Sequence, residues 1–364
     1  MKKRKVAILI PAHNEEEVLT ETLKSLLSLV SQRDIYVVND GSLDGTESIA
    51  RNFSKNVLTL FPNRGKAGAI NAGIVYFKLT DRYEYLMPID ADTLVSPNFL
   101  KNSFPLFEKD SKRAITAVVG KVVGRNTSWI TTYRLWEYEI AQTVHKAAQS
   151  VLGAIIVCPG PSTVYRTSVF KKLTFSTETV TEDMDLTFSL HRKNIGKIIY
   201  EPNALVVTQD PKTLKEFIKQ INRWYTGFWQ CTVKHQIPWG GQMLDLEVVL
   251  LATEGLYNGL LTVFLLILIP ITLVNRPTTL LIPFLADFVL FQLTTTSYVA
   301  LKHKNLGIFR FLPHFYFARM LSSLIFLVSF ARIIFALDLR MKKVWTTARY
   351  KLKKEELLWP NPSL

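Results

Sequence analysis

The chain has 364 residues, 48% of them hydrophobic, and carries a formal charge of +14 at pH 7. That is long enough for one large domain plus a second region. Its two cysteines, Cys158 and Cys231, exclude a disulfide framework and fit a reducing compartment, and no Cys/His spacing suits zinc. The basic excess lies beside apolar segments, as in "LKHKNLGIFR" (301–310) and "LRMKKVWTTARYKLKK" (339–354), which fits anionic lipid headgroups better than nucleic acid.

In chain order, "KVAILIPAHNEE" (5–16) reads as a buried strand, a turn at Pro11 and a helix over 15–30 that begins in acids. "DIYVVNDGSLDGT" (34–46) repeats that grammar, with a helix through Glu47–Asn52, and "YEYLMPIDADTL" (83–94) is a third strand ending in acids. Strands alternating with helices imply a parallel α/β sheet, and such sheets bind ligands at the carboxyl ends of their strands. Those ends carry His13, Asn14, Asp40, Asp90 and Asp92. Between the second and third strands lies "NRGKAGAINAG" (63–73). It lacks the spacing of a triphosphatase phosphate loop, with Ala67 where a hydroxyl would ligate magnesium. Lys66 on that Gly-permissive loop can still meet a diphosphate as a point charge. Asp90 and Asp92 can converge on one hard cation if the chain turns between them, and Mg²⁺ takes one or two carboxylates plus substrate phosphates.

Farther on, "TEDMD" (181–185) gathers Glu182, Asp183 and Asp185 ahead of a helix-like run. One reading is a helix start, with Thr181 as cap and the acids facing the positive end of the dipole; the other is catalytic. "QINRWYTGFWQ" (220–230) reads as a helix with Gln220, Arg223 and Trp224 on one face. The same helix also reads as interfacial, with Trp224, Tyr225, Phe228 and Trp229 at a membrane surface.

After Glu247 the composition changes. "GLYNGLLTVFLLILIPITLV" (255–274) has no charge and reaches the roughly 20 residues that span a bilayer. A second run covers 278–300, interrupted by Asp287, and a third covers 310–337 with Arg319 and Arg332 inside it. The N-terminal apolar run reads as a first strand and not as an export signal, so the soluble part is expected in the cytoplasm. Two crossings would return the chain to the cytoplasm at "LKHKN". A third would export the basic tail against the positive-inside rule; a partly interfacial third run avoids that conflict, and the sequence leaves the choice open.

Taken together, "IPAHNEE", "VNDGSLDGT", "NRGKAGAINAG", "IDADT", "CPGPSTVYR", "TEDMDLT" and "QINRW" resemble, in order, the membrane-bound branch of glycosyltransferase family 2. That branch includes cellulose, chitin, hyaluronan and poly-N-acetylglucosamine synthases, and the resemblance covers roughly residues 5–230. It implies an α/β, GT-A type nucleotide-sugar-binding domain (1–212), interfacial helices with the Gln-x-x-Arg-Trp motif (213–246), a transmembrane helical region (247–340) and a basic tail (341–364). It implies an inverting hexosyltransferase using a UDP-sugar, with UDP-N-acetylglucosamine or UDP-glucose as best reading, and Mg²⁺ or Mn²⁺. Pro11, His13, Glu15, Asp40, Lys66, Asp90, Gln220 and Arg223 would bind the donor. The family often has Tyr at the position of His13. Asp92, with Asp90, would hold the metal; Gly160, Glu182 and Trp224 would border the acceptor; Asp183 would be the general base. The resemblance places the enzyme in the cell membrane as a multi-pass protein with a cytoplasmic catalytic domain, contacting lipids and no nucleic acid. It leaves open a poly- or oligosaccharide product against single-sugar transfer to a lipid, and export through an oligomer or a partner subunit. A catalytically dead scaffold is the reading of another class, and the full set of acids argues against it.

Overall fold

The computed structural model describes residues 3–125, 127–275, 285–335 and 349–351. The first part of the second apolar run and most of the basic tail, 341–348 and 352–364, lie outside the described residues. Eight strands form one sheet: β1 (Arg4–Ala12), β2 (Ile35–Asp40), β3 (Asn56–Leu60), β4 (Tyr83–Pro88), β5 (Leu94–Val95), β6 (Ile115–Val123), β7 (Thr163–Arg166) and β8 (Lys197–Val207). Their spatial order is β3-β2-β1-β4-β7-β6-β8-β5. Between and after them run helices α1 (Leu19–Leu27), α2 (Thr46–Phe53), α3 (Gly65–Tyr76), α4 (Leu79–Arg82), α5 (Phe99–Glu108), α6 (Trp129–Ile140), α7 (Ala147–Leu152), α8 (Glu182–Arg192), α9 (Leu214–Lys234) and α10 (Met243–Asn275).

Both faces of the sheet are covered, which is why its central strands are apolar at nearly every position. Leu9 and Val38 face Ala69, Ile70 and Ile74 of α3. Ile8, Ile10 and Val37 face Leu19 and Leu23 of α1 and Phe99 and Phe104 of α5. Strands β3, β2, β1 and β4 are parallel, as the alternating pattern predicts. The expectation of an all-parallel sheet is corrected at β7, which pairs antiparallel with both β4 and β6, and at the edge strand β5, which pairs antiparallel with β8. Because β7 runs backwards, its entering segment Cys158–Ser162 comes to the edge where β1, β2 and β4 end. One reversed strand thereby adds a loop to a site that parallel strands alone would not reach.

A capping box starts α9: Thr213 Oγ1 accepts from the Glu216 amide at 3.2 Å, and the Glu216 carboxylate accepts from the Thr213 amide at 3.3 Å. Helix α10 runs unbroken through position 247. After the gap at 276–284, a helix over Thr294–Lys302 brings the chain back to the sheet domain. There buried Glu139 on α6 accepts from Lys121 at 2.9 Å, from His303 at 3.2 Å and from Lys302. The last described helix, Leu312–Ile334, packs against α6 and along α9. Phe315 meets Tyr133 at a centroid distance of 5.6 Å, Phe326 meets Tyr225 at 5.0 Å, and Phe330 meets Trp229 at 4.7 Å. Near its end Arg332 donates to Asn222 at 3.5 Å. Phe228 and Trp229 are therefore buried between helices.

Candidate active site

The carboxyl ends of β1, β2 and β4 deliver three of the motifs to one place. His13 Nδ1 lies 2.8 Å from the Asp40 carbonyl oxygen, so the ring donates there, and Pro11 is buried two residues before it. The fully buried Asp40 accepts from the Arg64 amide at 2.8 Å, which fixes the entry into α3. That helix then carries Lys66 into the centre, where Nζ reaches Asp90 at 2.6 Å and Glu182 at 2.9 Å. Burial disfavours the Lys66 charge, but Asp90, Glu182 and Asp183 outweigh it and hold its pKa well above the usual lysine range.

A side chain at position 160 would make the Lys66 ammonium shift from its place beside Asp90. A Cβ on Gly160 would sit 2.9 Å from Lys66 Nζ and 3.4 Å from Asp90 Oδ1. With no side chain there, the Gly160 amide reaches Asp183 Oδ2 at 3.3 Å while the Met184 amide donates to Oδ1 at 2.8 Å. The Asp183 carboxyl is raised above its ordinary value by burial and then by Glu182, against the pull of Lys66 and Arg223. A raised carboxylate with fixed donors is what a general base working near neutral pH needs.

The helix-start reading of "TEDMD" holds in part: Glu182, Asp183 and Asp185 stand in the first turn of α8, but Thr181 at its N-cap makes no side-chain cap bond. Asp185 instead faces away from Asp183's partners, accepting from Lys234 and His235 at 2.8 Å each and from Thr179 at 3.0 Å. Gly227 lets α9 approach this segment, since a Cβ there would lie 2.2 Å from Thr181 Oγ1. From α9, Arg223 acts on Asp183 by its charge. Gln220 Oε1 is buried with no partner among the described residues. Trp224 is half-buried, with the Arg134 guanidinium 4.6 Å above its ring.

Asp90 and Asp92 take different partners. Asp92 accepts from Thr208 at 3.3 Å and from Arg349 at 2.6 Å. The Arg349 guanidinium also spans both Glu15 oxygens at 2.5 and 2.7 Å. Burial raises the Glu15 carboxyl to about 7, opposed by Arg349 and reinforced by Asp92 and Asp90. This concentration of carboxylates already draws a cationic group, and an all-oxygen donor set suits Mg²⁺ or Mn²⁺. The residues therefore fit a divalent cation, although no cluster of three or more His, Cys, Asp or Glu forms among the described residues.

Three contributors carry no readable sequence signal for this role: Arg349, Arg134 and Gly227. Arg349 was legible as one more basic tail residue, and nothing local ties it to Glu15. His191, His235 and His303 hold the Ile155 carbonyl, Asp185 and Glu139, which are structural tasks.

The sequence matches the family described as "Glycosyltransferase like family 2" over residues 3–227. It is 35% identical over 229 residues to a poly-beta-1,6-N-acetyl-D-glucosamine synthase of Staphylococcus epidermidis, covering 61% of this chain and 54% of that one. It is 32% identical over 247 residues to a hyaluronan synthase of Streptococcus pyogenes, covering 62% of this chain and 57% of that one. The chain thus spans little more than half the length of these curated relatives. Among solved structures, a mannosyltransferase of Pyrobaculum calidifontis, in complex with GDP-Man and Mn²⁺, superposes with a TM-score of 0.65 at 17% identity. That match covers 92% of this chain and 88% of the other, and it shows a shared fold. With its nucleotide-sugar type α/β domain and the family match over more than half its length, the chain belongs to glycosyltransferase family 2.

Proposed function

We propose that the protein is an inverting glycosyltransferase that moves a sugar from a UDP-sugar onto a growing poly- or oligosaccharide at a membrane. The observation that carries this reading is the Asp183 carboxylate, half-buried, raised, held by the Gly160 amide and within the field of Lys66, which pairs with Asp90. Asp183 takes the proton of an acceptor hydroxyl as that oxygen attacks the anomeric carbon. The bond from that carbon to the diphosphate breaks, and the nucleoside diphosphate departs with the electron pair. Lys66 and Arg223 supply positive charge to the diphosphate, with the planar fork of Arg223 suited to two oxygens. A divalent cation at Asp92, with Asp90, would neutralise further diphosphate charge when bound. In this reading Pro11, His13, Glu15, Asp40 and Gln220 border the nucleotide, and Gly160, Glu182 and Trp224 border the acceptor. The relatives with N-acetylglucosamine and hyaluronan in their names favour UDP-N-acetylglucosamine over UDP-glucose as donor.

Membrane insertion is part of the proposal. Residues 243–267 and 306–334 form helices long and apolar enough to cross, and 17% and 28% of their most apolar windows are buried, which is unlike core helices. Trp239, 84% exposed just before α10, suits a headgroup boundary. The packing of Leu312–Ile334 on α6 and α9 favours an interfacial third run, and Arg349 in the site favours a tail on the catalytic side.

The test is incubation of purified protein in detergent with a panel of nucleotide sugars and Mg²⁺ or Mn²⁺. Release of nucleoside diphosphate names the donor, and product size separates polymer from a single sugar on a lipid. No release from any sugar nucleotide, in the presence of both metals and candidate acceptors, would overturn the reading.

A further inference from the structure

A π-helical turn, Ala141–Lys146, joins α6 to α7. Such one-turn insertions recur at functional sites. Lys146 closes the turn and is 7% exposed. Its ammonium has three hydrogens to donate, yet its one hydrogen bond among the described residues is a long one, 3.4 Å to the Val157 carbonyl oxygen. No carboxylate among the described residues lies within ion-pair distance of it. A buried cation without a counter-ion is costly to stability, and burial lowers the Lys146 pKa to about 8.

The surroundings suggest what this costly group does. Val157 leads directly into Cys158-Pro159-Gly160, the segment whose last amide donates to Asp183 at 3.3 Å. That segment is held rigidly, because the Cys158 amide donates to Thr187 Oγ1 on α8 at 2.9 Å and Tyr165 donates to the Cys158 carbonyl at 3.4 Å. The ionisable groups whose charge would act on Lys146 are Cys158 first and then Asp183. Burial pushes the Cys158 thiol up to about 11, so it is neutral at working pH. Of the two, Asp183 is the group that can carry a negative charge there, and it is joined to the Val157–Gly160 segment through the Gly160 amide.

Asp183 has other charged neighbours, and they are already committed. Glu182 opposes its ionisation, while Lys66 favours it but is shared with Asp90 and Glu182. Arg223 favours it from α9, and in the proposed reaction its charge is taken by the diphosphate. Tyr165 and Cys231, the remaining ionisable groups in this field, are buried and neutral. Once a donor is bound, Lys146 is the cation that no other anion claims.

We propose that Lys146 is an electrostatic positioning residue for the base, keeping Asp183 ionised from behind the Val157–Gly160 segment while substrates exclude water from its front. This rests on the reading of Asp183 as the base. The fold tolerates an unpaired charge there because the reaction uses its field.

The experiment compares full-length wild type with Lys146→Met, Lys146→Gln and Lys146→Arg, at saturating donor and metal, from pH 5.5 to 9. Activity, donor affinity and thermal stability are read for each. Removing the charge raises the pH at which Asp183 loses its proton, so the acidic limb of the Met and Gln variants moves up by about one pH unit. Their activity near pH 6 falls roughly tenfold and converges on wild type near pH 8.5, while Arg keeps the wild-type limb. Donor affinity is unchanged. Thermal stability of the Met variant is equal to or above wild type, because an unpaired buried charge has been removed. A limb that stays in place in whichever neutral variant folds, or one that moves equally in the Arg variant, overturns the inference and leaves Lys146 a structural residue. Asp183→Asn run in parallel separates the two claims: wild-type turnover there removes the base itself, whereas a dead Asp183→Asn beside an unmoved Lys146→Met limb removes Lys146 alone.

Discussion

Asp183 and Asp185 stand two positions apart in the first turn of α8, and their surroundings pull them in opposite directions. Asp183 is raised, with backbone amides for donors and Glu182 beside it. Asp185 is held down to about 2: burial works against its charge, but the hydrogen bonds from His235 and Lys234 and the Lys234 charge outweigh it. One acid faces the sheet edge where the strands end. The other is sewn to the C-terminal end of α9, which anchors the helix carrying Arg223 and Trp224. A short acidic run thus serves two purposes, and the helical rotation between its members keeps them separate.

The largest effect that tests this contrast is expected from Asp183→Asn. Loss of a positioned base costs about 10²–10⁴-fold in turnover, while nucleotide affinity and melting temperature stay close to wild type. Wild-type turnover in that variant would falsify the catalytic half of the comparison.

Next in size is the cation side of the site. Chelation by EDTA, or Asp92→Asn, is expected to lower turnover by about 10²–10³-fold, the scale for losing one charge-stabilising element. Undiminished transfer in EDTA would remove the metal from the reading.

Asp185→Ala should behave in the reverse way to Asp183→Asn. Breaking a buried ion pair costs about 3 kcal/mol, or roughly 6–12 °C in melting temperature for a domain of this size, with turnover per folded molecule little changed. The pH dependence has a definite sign. Because the folded carboxyl sits at about 2 and the ordinary value is 3.8, the unfolded chain binds more protons between those values. The Asp185 contribution is complete above about pH 4 and is lost as pH falls towards 2. A stability gap between wild type and Asp185→Ala that fails to narrow over that interval would show that the ion pair is not its source.

The smallest effect concerns Arg349, which stands on Glu15 and Asp92 where a divalent cation would also be drawn. Mn²⁺ is expected to raise the melting temperature of Arg349→Ala by a few degrees more than that of wild type, on the scale of about 2–4 °C per kcal/mol. In wild type the metal has to displace a guanidinium; in the variant it meets carboxylates with no competing cation. Equal gains would show that the two cations do not compete.

Much of the domain was legible because its signals are local. Apolar strands ending in polar residues gave β1, β2 and β4, and the same parallel geometry put His13, Asp40, Asp90 and Asp92 on one edge. The Gln220–Trp224 spacing gave a helix that exists. The reversed β7 was not legible: "STVYR" carries no mark of its direction, which is settled by the pairing partners β4 and β6. The split between Asp90 and Asp92 was also hidden, because their partners Lys66, Thr208 and Arg349 come from separate parts of the chain.

By itself, the sequence determined the strands β1, β2 and β4 with the helices that follow them, the apolar character of the C-terminal region, and which acids and cations were available. These follow from side-chain type and short-range periodicity. Tertiary structure decided which acid is raised above its ordinary value, which is anchored to α9, and where the unpaired charge of Lys146 went. Protonation depends on burial and on fields summed over groups far apart in the chain. Asp183 is tuned by Glu182 beside it, Lys66 of α3 and Arg223 of α9, and Asp185 by the end of α9, while the hydrogen-bond partner of Asp92 comes from 257 positions away.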